Sequence, residues 1–372
     1  MRLVYLVTED WYFVSHRLPL AIAAQAAGYS VTVATRCGDK AEEIRAAGIS
    51  VIPFEMARRG LNPFGLLREV WAVARLYRKL RPDLVHHVAL RPVVVGGLAA
   101  RLSGVNRVVS AIAGMGYAFA RGKKGWLAFT LGRLLRIALA KGLVIVQNPD
   151  DGEEVGGLGV DPRCIQLVPG AGVDVSLFLP QDEPEGTPVV MLPARILWDK
   201  GVGEFIQAAR LLRSRARFVL VGAPDANNPA SVTEVEIQAW LNEGCVEWWG
   251  ARDDMASVLR FAHIVCLPSY REGLPKVLLE AMACGRVCVT TDAPGCRDAV
   301  RDKDNGLLVP IGDGAALATA IEGLLNNPEL RRSMGVRGRE RAETEFSSQR
   351  VIAETLAAYE KLAGMTERRT VS

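Results

Sequence analysis

The stretch Ser269-Tyr270-Arg271-Glu272-Gly273-Leu274-Pro275-Lys276-Val277-Leu278-Leu279-Glu280 concentrates more chemistry than any other part of the chain. Two carboxylates, Glu272 and Glu280, stand eight positions apart across a turn that becomes a helix. Pro275 suits the first helical position because it has no N–H to satisfy, and Gly273 frees the backbone for a close approach. The N–H groups of the first helical turn then offer a site for an anion. With Glu272 before the helix and Glu280 inside it, one ligand can be met at two points: phosphate at the N–H groups, hydroxyls on the carboxylates. An isolated Glu-x7-Glu is more often a cap plus a surface glutamate. The rest of the chain argues otherwise.

Arg195 follows the apolar run Val189–Leu192, and Lys200-Gly201 comes five residues later, opening a helix. Two cations flanking a loop there can clamp a diphosphate, with helix N–H groups adding to them. Gly114-Met115-Gly116-Tyr117 follows another run, Arg107–Ser110, and lets backbone N–H groups approach a phosphate. Weaker substrate-binding candidates are His87 and Arg91, at and beyond the end of Leu84–Val88, and Arg17 at the start of the first helical stretch. Glu9-Asp10 reads as a helix cap, with contact to an acceptor hydroxyl as the alternative. Asp302-Lys303-Asp304 resembles a metal motif, but Asn305-Gly306 follows, so it reads as a charged turn and no metal is assigned. There is no Gly-x-Gly-x-x-Gly after the first strand, no P-loop and no Ser/His/Asp set.

The elements that carry these residues alternate. Strands are expected at Leu3–Val7, Val31–Ala34, Leu84–Val88, Arg107–Ser110, Val144–Gln147 and Ile165–Val168. Helical stretches at Arg17–Ala27, Pro63–Leu80, Pro92–Leu102 and Trp126–Ala140 lie between them. The pattern restarts after the polar linker Pro180–Gly186, with strands at Val189–Leu192, Phe218–Val221, Val246–Trp248, Ile264–Leu267 and Val287–Thr290. Beyond Ala315 the chain is helical, closing with Ser348–Lys361 and a frayed tail, Thr366–Ser372. This is βαβ grammar, hence an α/β protein with parallel sheets. The expected division is 1–178, 186–345 and a C-terminal segment, 346–372, packing back on the first domain. Two such domains place a cleft between the carboxyl ends of their sheets, where ligands of such folds bind.

A chain of 372 residues exceeds what one core usually organises. Its seven cysteines lack paired metal spacing and point to a reducing cytosol. No apolar run reaches the length of a membrane span, and Leu3–Val7 is a strand rather than part of a signal peptide. Charge is lopsided: residues 1–170 hold 22 Lys+Arg against 13 Asp+Glu, the remainder 23 against 28. Between Ala57 and Lys141, 16 basic residues face only Glu69 and Asp83. Two helices there, Pro63–Leu80 and Gly122–Lys141, mix Trp, Phe and Leu with Arg and Lys, which suits an anionic membrane surface. No nucleic-acid module is recognisable.

Taken together, Glu272-x7-Glu280, Arg195 with Lys200, and Pro169-Gly170-Ala171-Gly172-Val173-Asp174 resemble the retaining glycosyltransferases of family 4. Leu61-Asn62-Pro63-Phe64, Ala194–Val202 and Leu267–Gly273 are similar to bacterial members that add N-acetylgalactosamine to undecaprenyl-diphosphate-linked bacillosamine, and to relatives that build capsule or O-antigen units. The resemblance implies the GT-B fold: two facing Rossmann-like domains with an interdomain cleft. It implies that Arg195 and Lys200 hold the UDP diphosphate, Glu280 the ribose hydroxyls and Glu272 the donor sugar. Gly114, Met115 and Gly116 become the loop across the cleft, while Gly273, Leu274 and Pro275 line the donor site. Many members carry His-x-His after the fourth strand; His86-His87-Val88 lacks the second histidine.

The implied activity is retaining transfer of an N-acetylhexosamine, GalNAc in the first instance, from a UDP-sugar to a polyprenyl-diphosphate-linked saccharide. It needs no metal or other cofactor and takes place on the inner face of the plasma membrane. The alternative on the same fold is an isomerase resembling UDP-N-acetylglucosamine 2-epimerase, which needs no acceptor and has no use for a basic apolar surface.

Overall fold

The computed structural model describes residues 1–56, 63–114, 126–226 and 228–370, with the side chains of 126–131 and 365–370 excepted. Met115, Gly116 and Tyr117 of the expected glycine loop lie outside the described residues, as do Leu61, Asn62, Lys123 and Lys124. The chain forms two units, one made of Met1–Ala171 with Arg350–Ser372, the other of Gly172–Gln349.

Unit 1 runs β1 (Arg2–Glu9), α1 (Asp10–Ala26), β2 (Ser30–Arg36), α2 (Ala41–Ala46), β3 (Ser50–Pro53), α3 (Pro63–Leu80), β4 (Leu84–Val88), α4 (Leu90–Ser103), β5 (Val108–Ala111), α5 (Trp126–Leu139), β6 (Leu143–Val146), α6 (Pro149–Gly157) and β7 (Ile165–Leu167). All strands are parallel, in the order β3-β2-β1-β4-β5-β6-β7. That is the Rossmann arrangement, in which strand order reverses between β1 and β4. The central strand β1 is apolar on both faces because helices cover both.

Unit 2 repeats the plan with β8 (Val189–Pro193), α7 (Val202–Leu212), β9 (Arg217–Val221), α8 (Glu234–Asn242), β10 (Glu247–Trp248), α9 (Met255–Val258), β11 (Ile264–Leu267), α10 (Lys276–Ala283), β12 (Val287–Thr291), α11 (Cys296–Ala299), β13 (Gly306–Val309), α12 (Gly314–Asn326) and α13 (Pro328–Thr344). Its parallel order is β10-β9-β8-β11-β12-β13, reversing between β8 and β11. The last helix, α14 (Ser348–Thr370), belongs to unit 1. Val351, Ala358, Tyr359 and Leu362 of α14 are buried with Leu3, Tyr5 and Val33. The Tyr359 hydroxyl lies 2.6 Å from His86 Nδ1 and 2.9 Å from Tyr5 Oη.

Several expectations need correction. The Pro180–Gly186 segment is not a free linker: Glu183 makes a bidentate pair with Arg331 at 2.6 Å, and Arg286 donates to the Asp182 carbonyl. The chain changes units earlier, at Gly172, where Val173 N–H donates to the Phe346 carbonyl and Ser348 N–H to the Val173 carbonyl within unit 2. Helix α1 begins at Asp10 rather than Arg17. The Asp10 carboxylate takes N–H groups from Trp11, Gly38 and Lys40, so it also ties down the loop after β2. The edge strands β3 and β13 were not expected; β3 ends on Pro53 and is only partly buried, and β13 begins on Gly306 straight out of a turn. The Asp302–Asp304 segment is the turn expected of it, leading into β13, with Asp302 accepting from Leu308 N–H. The tail expected to fray from Thr366 is helical as far as Thr370.

Candidate active site

In open parallel sheets ligands gather outside the carboxyl ends of the strands where the order reverses. In unit 2 that point lies between β8 and β11, and the loops leaving these two strands carry Arg195, Lys200 and Glu272. Lys200 closes a single helical turn, Trp198–Lys200. Gly201 follows with φ 73°, and a β-carbon there would lie 2.1 Å from the Pro268 carbonyl oxygen. Only glycine permits this contact of the two loops. Tyr270 N–H then donates to the Asp199 carbonyl at 3.0 Å. So stitched, the loops set Lys200 Nζ in an ion pair with Glu272 Oε1, both side chains being largely buried.

Glu272 is held from behind as well. The fully buried Ser269 donates its hydroxyl to Glu272 Oε1 at 2.7 Å, and Glu272 N–H donates to Pro294 O at 3.0 Å. Gly295 allows this: a β-carbon on it would stand 2.6 Å from Glu272 O and 2.5 Å from Gly273 O. Gly295 was not among the residues expected to need close backbone approach.

Pro275 caps α10 and Lys276 is its first residue, one position later than expected. Leu274 is buried beneath the same turn. Glu280, 7 % exposed, lies on α10 beside Lys276 Nζ at 3.2 Å. Burial pushes its carboxyl above the usual glutamate range, with the Lys276 charge opposing. Arg195 is half exposed and pairs with Asp225 at 3.0 Å. The structure therefore brings Lys200 and Glu272 together, while Arg195 and Glu280 each rest on a different partner.

The sequence reading missed those partners. Asp225 follows the carboxyl end of β9, so the topology rule that found Arg195 could have found it too. Ser269 sits three positions before Glu272, and only the folded turn shows that its hydroxyl reaches back. Tyr270 donates to Glu204 at 2.6 Å, and that bond pushes its phenol up to about 12.

The remaining candidates belong to unit 1. Gly114 follows β5 with φ 91°. Arg17, 4 % exposed on α1, donates to the His16 and Gly170 carbonyls. Arg91 forms a bidentate pair with Glu69 on α3, at 3.0 and 3.1 Å. His87 is fully buried: its Nε2 lies 3.0 Å from the Tyr77 hydroxyl, and a β-carbon on Gly96 would touch its ring at 2.5 Å. Burial pulls its pKa down to about 3. It is a neutral core histidine rather than a residue facing ligand.

Two family descriptions match the chain. Residues 2–148 match glycosyl transferase 4-like proteins, and residues 187–327 match glycosyl transferases group 1. The chain belongs to this glycosyltransferase family and is a transferase, so the isomerase alternative is not favoured. It is 29 % identical over 348 residues, 89 % of this chain and 91 % of the relative, to the N,N'-diacetylbacillosaminyl-diphospho-undecaprenol α-1,3-N-acetylgalactosaminyltransferase of Campylobacter jejuni. It is 25 % identical, over 69 % of this chain and 70 % of the relative, to the Escherichia coli UDP-Gal:α-D-GlcNAc-diphosphoundecaprenol α-1,3-galactosyltransferase. The fold matches Anabaena HepE, solved with UDP and glucose, at a TM-score of 0.78 and 20 % identity, covering 96 % of this chain and 99 % of that one.

Proposed function

We propose that the protein transfers an N-acetylhexosamine, GalNAc in the first instance, from a UDP-sugar to a polyprenyl-diphosphate-linked saccharide, with retention of configuration. The carrying observation is the Lys200–Glu272 pair at the strand-order reversal of unit 2. Support comes from the C. jejuni relative, whose name states such a transfer, and from HepE, crystallised with UDP.

In this reading the arriving diphosphate draws Lys200 from Glu272 and Arg195 from Asp225. Both cations then face the oxygen that gains charge as UDP leaves, where pre-aimed charge lowers the barrier most. Glu272, released but still held by Ser269, takes a hydroxyl of the donor sugar. Glu280 takes the ribose. The acceptor hydroxyl attacks from the face UDP vacates and loses its proton to the departing phosphate. With two cations offsetting the phosphate charge, no divalent metal is required.

The enzyme works at a membrane surface. Among the described residues no helix is long and apolar enough to cross a membrane. Helix α3, however, is apolar on two sides: Val70, Val73, Ala74 and Tyr77 face inward, while Leu67 is 57 % and Trp71 50 % exposed. Arg68, Arg75, Arg78 and Lys79 are exposed around that outer stripe. Such a mixture suits the headgroup region of an anionic leaflet.

The test is to supply UDP-GalNAc and a polyprenyl-diphosphate-linked saccharide acceptor in the presence of EDTA, then read the product by mass spectrometry and the new anomeric centre by NMR. Inversion at that centre would refute the mechanism. Turnover only after metal is restored would refute the metal-free chemistry, and transfer only from other donors would refute the N-acetylhexosamine assignment.

A further inference from the structure

At the amino ends of the unit 1 strands lies a cavity that no part of the transfer reaction uses. It has a volume of about 540 Å³, and Arg2, Arg78, Arg81 and Arg107 line it, with Asp83 the acidic residue of its wall. Strand amino ends are the edge opposite the one where the nucleotide sugar is expected. The cavity forms where α3 and α4 end and β4 and β5 begin, so its walls come from Tyr77–Asp83 and Ser103–Arg107.

The balance of charge is strongly positive. Asp83 is already engaged by Arg2, through its backbone N–H at 2.7 Å and its guanidinium at 3.7 Å. Arg78 donates to the Leu102 carbonyl at the end of α4. Arg81 and Arg107 enter no ion pair among the described residues, and the Arg107 Nε is buried without a hydrogen-bond acceptor. The carboxyl ends of α3 and α4 point partial negative charge this way, but that amounts to roughly half a charge per helix. Arg81 also holds φ 48°, a left-handed conformation unfavourable to any residue with a β-carbon. A left-handed residue directly after a helix is a common way for the chain to turn out of it, and here it sets the Arg81 side chain at the cavity wall.

One contact joins the cavity to the outer stripe of α3. The Arg78 guanidinium carbon, on the cavity wall, lies over the Trp71 ring at 5.9 Å from its centroid. A molecule whose apolar part lies against Leu67 and Trp71 can therefore bring a phosphate to the cavity mouth. We propose that this cavity is a phosphate site for the headgroup of an anionic membrane lipid. The guanidinium forks of Arg78, Arg81 and Arg107 grip the phosphodiester oxygens, as arginine does wherever planar oxyanions are recognised. This rests on the membrane-surface reading and gives it a defined anchor.

Arg81→Gly is the informative variant. It removes the guanidinium while suiting the left-handed backbone, so it should fold at least as well as the parent. Arg107→Gln provides an independent second change. Partition onto phosphatidylcholine vesicles doped with phosphatidylglycerol should fall about fivefold for each, the worth of one basic residue near an anionic surface. UDP affinity should not change. Trp71→Ser tests the membrane reading separately and should weaken binding even to undoped vesicles. Unaltered vesicle binding by both arginine variants, with Trp71→Ser impaired, would overturn the headgroup site and leave the membrane reading standing. If inorganic phosphate raises the melting temperature of the parent but not of Arg81→Gly, while both bind vesicles equally, the cavity takes free anions and the lipid assignment is wrong. Failure of the parent to bind doped vesicles would remove both.

Discussion

At the scale of single residues, the candidate site is a set of charges, each resting against a partner. Lys200 sits on Glu272, Arg195 on Asp225 and Glu280 beside Lys276. Arg195→Ala and Lys200→Ala should each lower kcat/KM by on the order of 10²–10³, the usual cost of losing one donor to a developing charge. Near-normal turnover in either would remove it from the mechanism. Ser269→Ala should cost about tenfold in kcat with little change in KM, since it frees the carboxylate that meets the sugar. Thr at 269 should restore most of it. Glu280 offers a sharper contrast. Its carboxyl is held above its ordinary range by burial, so the folded state resists ionisation more than the unfolded chain does. Stability is therefore lost as pH rises from the unfolded value of 4.5 through the raised folded one. Glu280→Gln should melt higher than the parent at neutral pH, yet bind UDP about tenfold more weakly by calorimetry. A variant that binds UDP normally would show that the ribose lies elsewhere.

At the scale of elements, most strands and helices were legible because parallel strands buried on both faces read as short apolar runs. The edge strands β3 and β13 were not, although the still shorter edge strands β7 and β10 were, so length alone does not separate them: β3 is bounded by Ser50 and Pro53, and β13 opens on Gly306 directly out of a charged turn. Side chains had a limit of their own. Glu272, Lys200 and Arg195 could be picked out because each follows a strand's carboxyl end, but the Ser269 hydroxyl and Asp225 become partners only once the turns close. His87 shows the opposite case. A core histidine was the favoured reading and the strand end kept a ligand contact open; the ring in fact lies under Gly96 and against Tyr77. That placement has a thermodynamic mark. Unfolded, the ring titrates near 6.5; folded, burial holds it to about 3. Stability is undiminished above the unfolded value and drains away as pH falls from 6.5 towards 3. Chemical denaturation of the parent and of His87→Gln across that range should give converging stabilities as the pH drops. Parallel curves would mean the histidine is not the acid-sensitive group.

At the scale of the molecule, the four residues proposed to hold the donor, Arg195, Lys200, Glu272 and Glu280, all fall within Gly172–Gln349. That stretch contains its own sheet and its own buried clusters. Expressed alone, it should unfold cooperatively and bind UDP, as calorimetry can check. Loss of binding in a folded fragment would place part of the nucleotide site in unit 1. The same stretch cannot catalyse transfer on this reading, because the lipid-facing helix α3 is missing from it. Composition and alternation alone foretold two α/β units, but not that the segment resembling a linker would be pinned by Arg331 and Arg286.

The placement of α14 has a consequence for how the protein is made. Unit 1 is translated first, but Tyr359 and Leu362, which complete its core, leave the ribosome only after the whole of unit 2. At roughly 5–20 residues per second, the half-built sheet waits on the order of ten to forty seconds for its final helix, while unit 2 folds in the interval. During that wait Tyr5 and His86 have no Tyr359 to close over them. The nascent chain therefore carries an unfinished apolar seam through most of its synthesis, and a premature stop in the last turns of the message would strand the unit that was begun first.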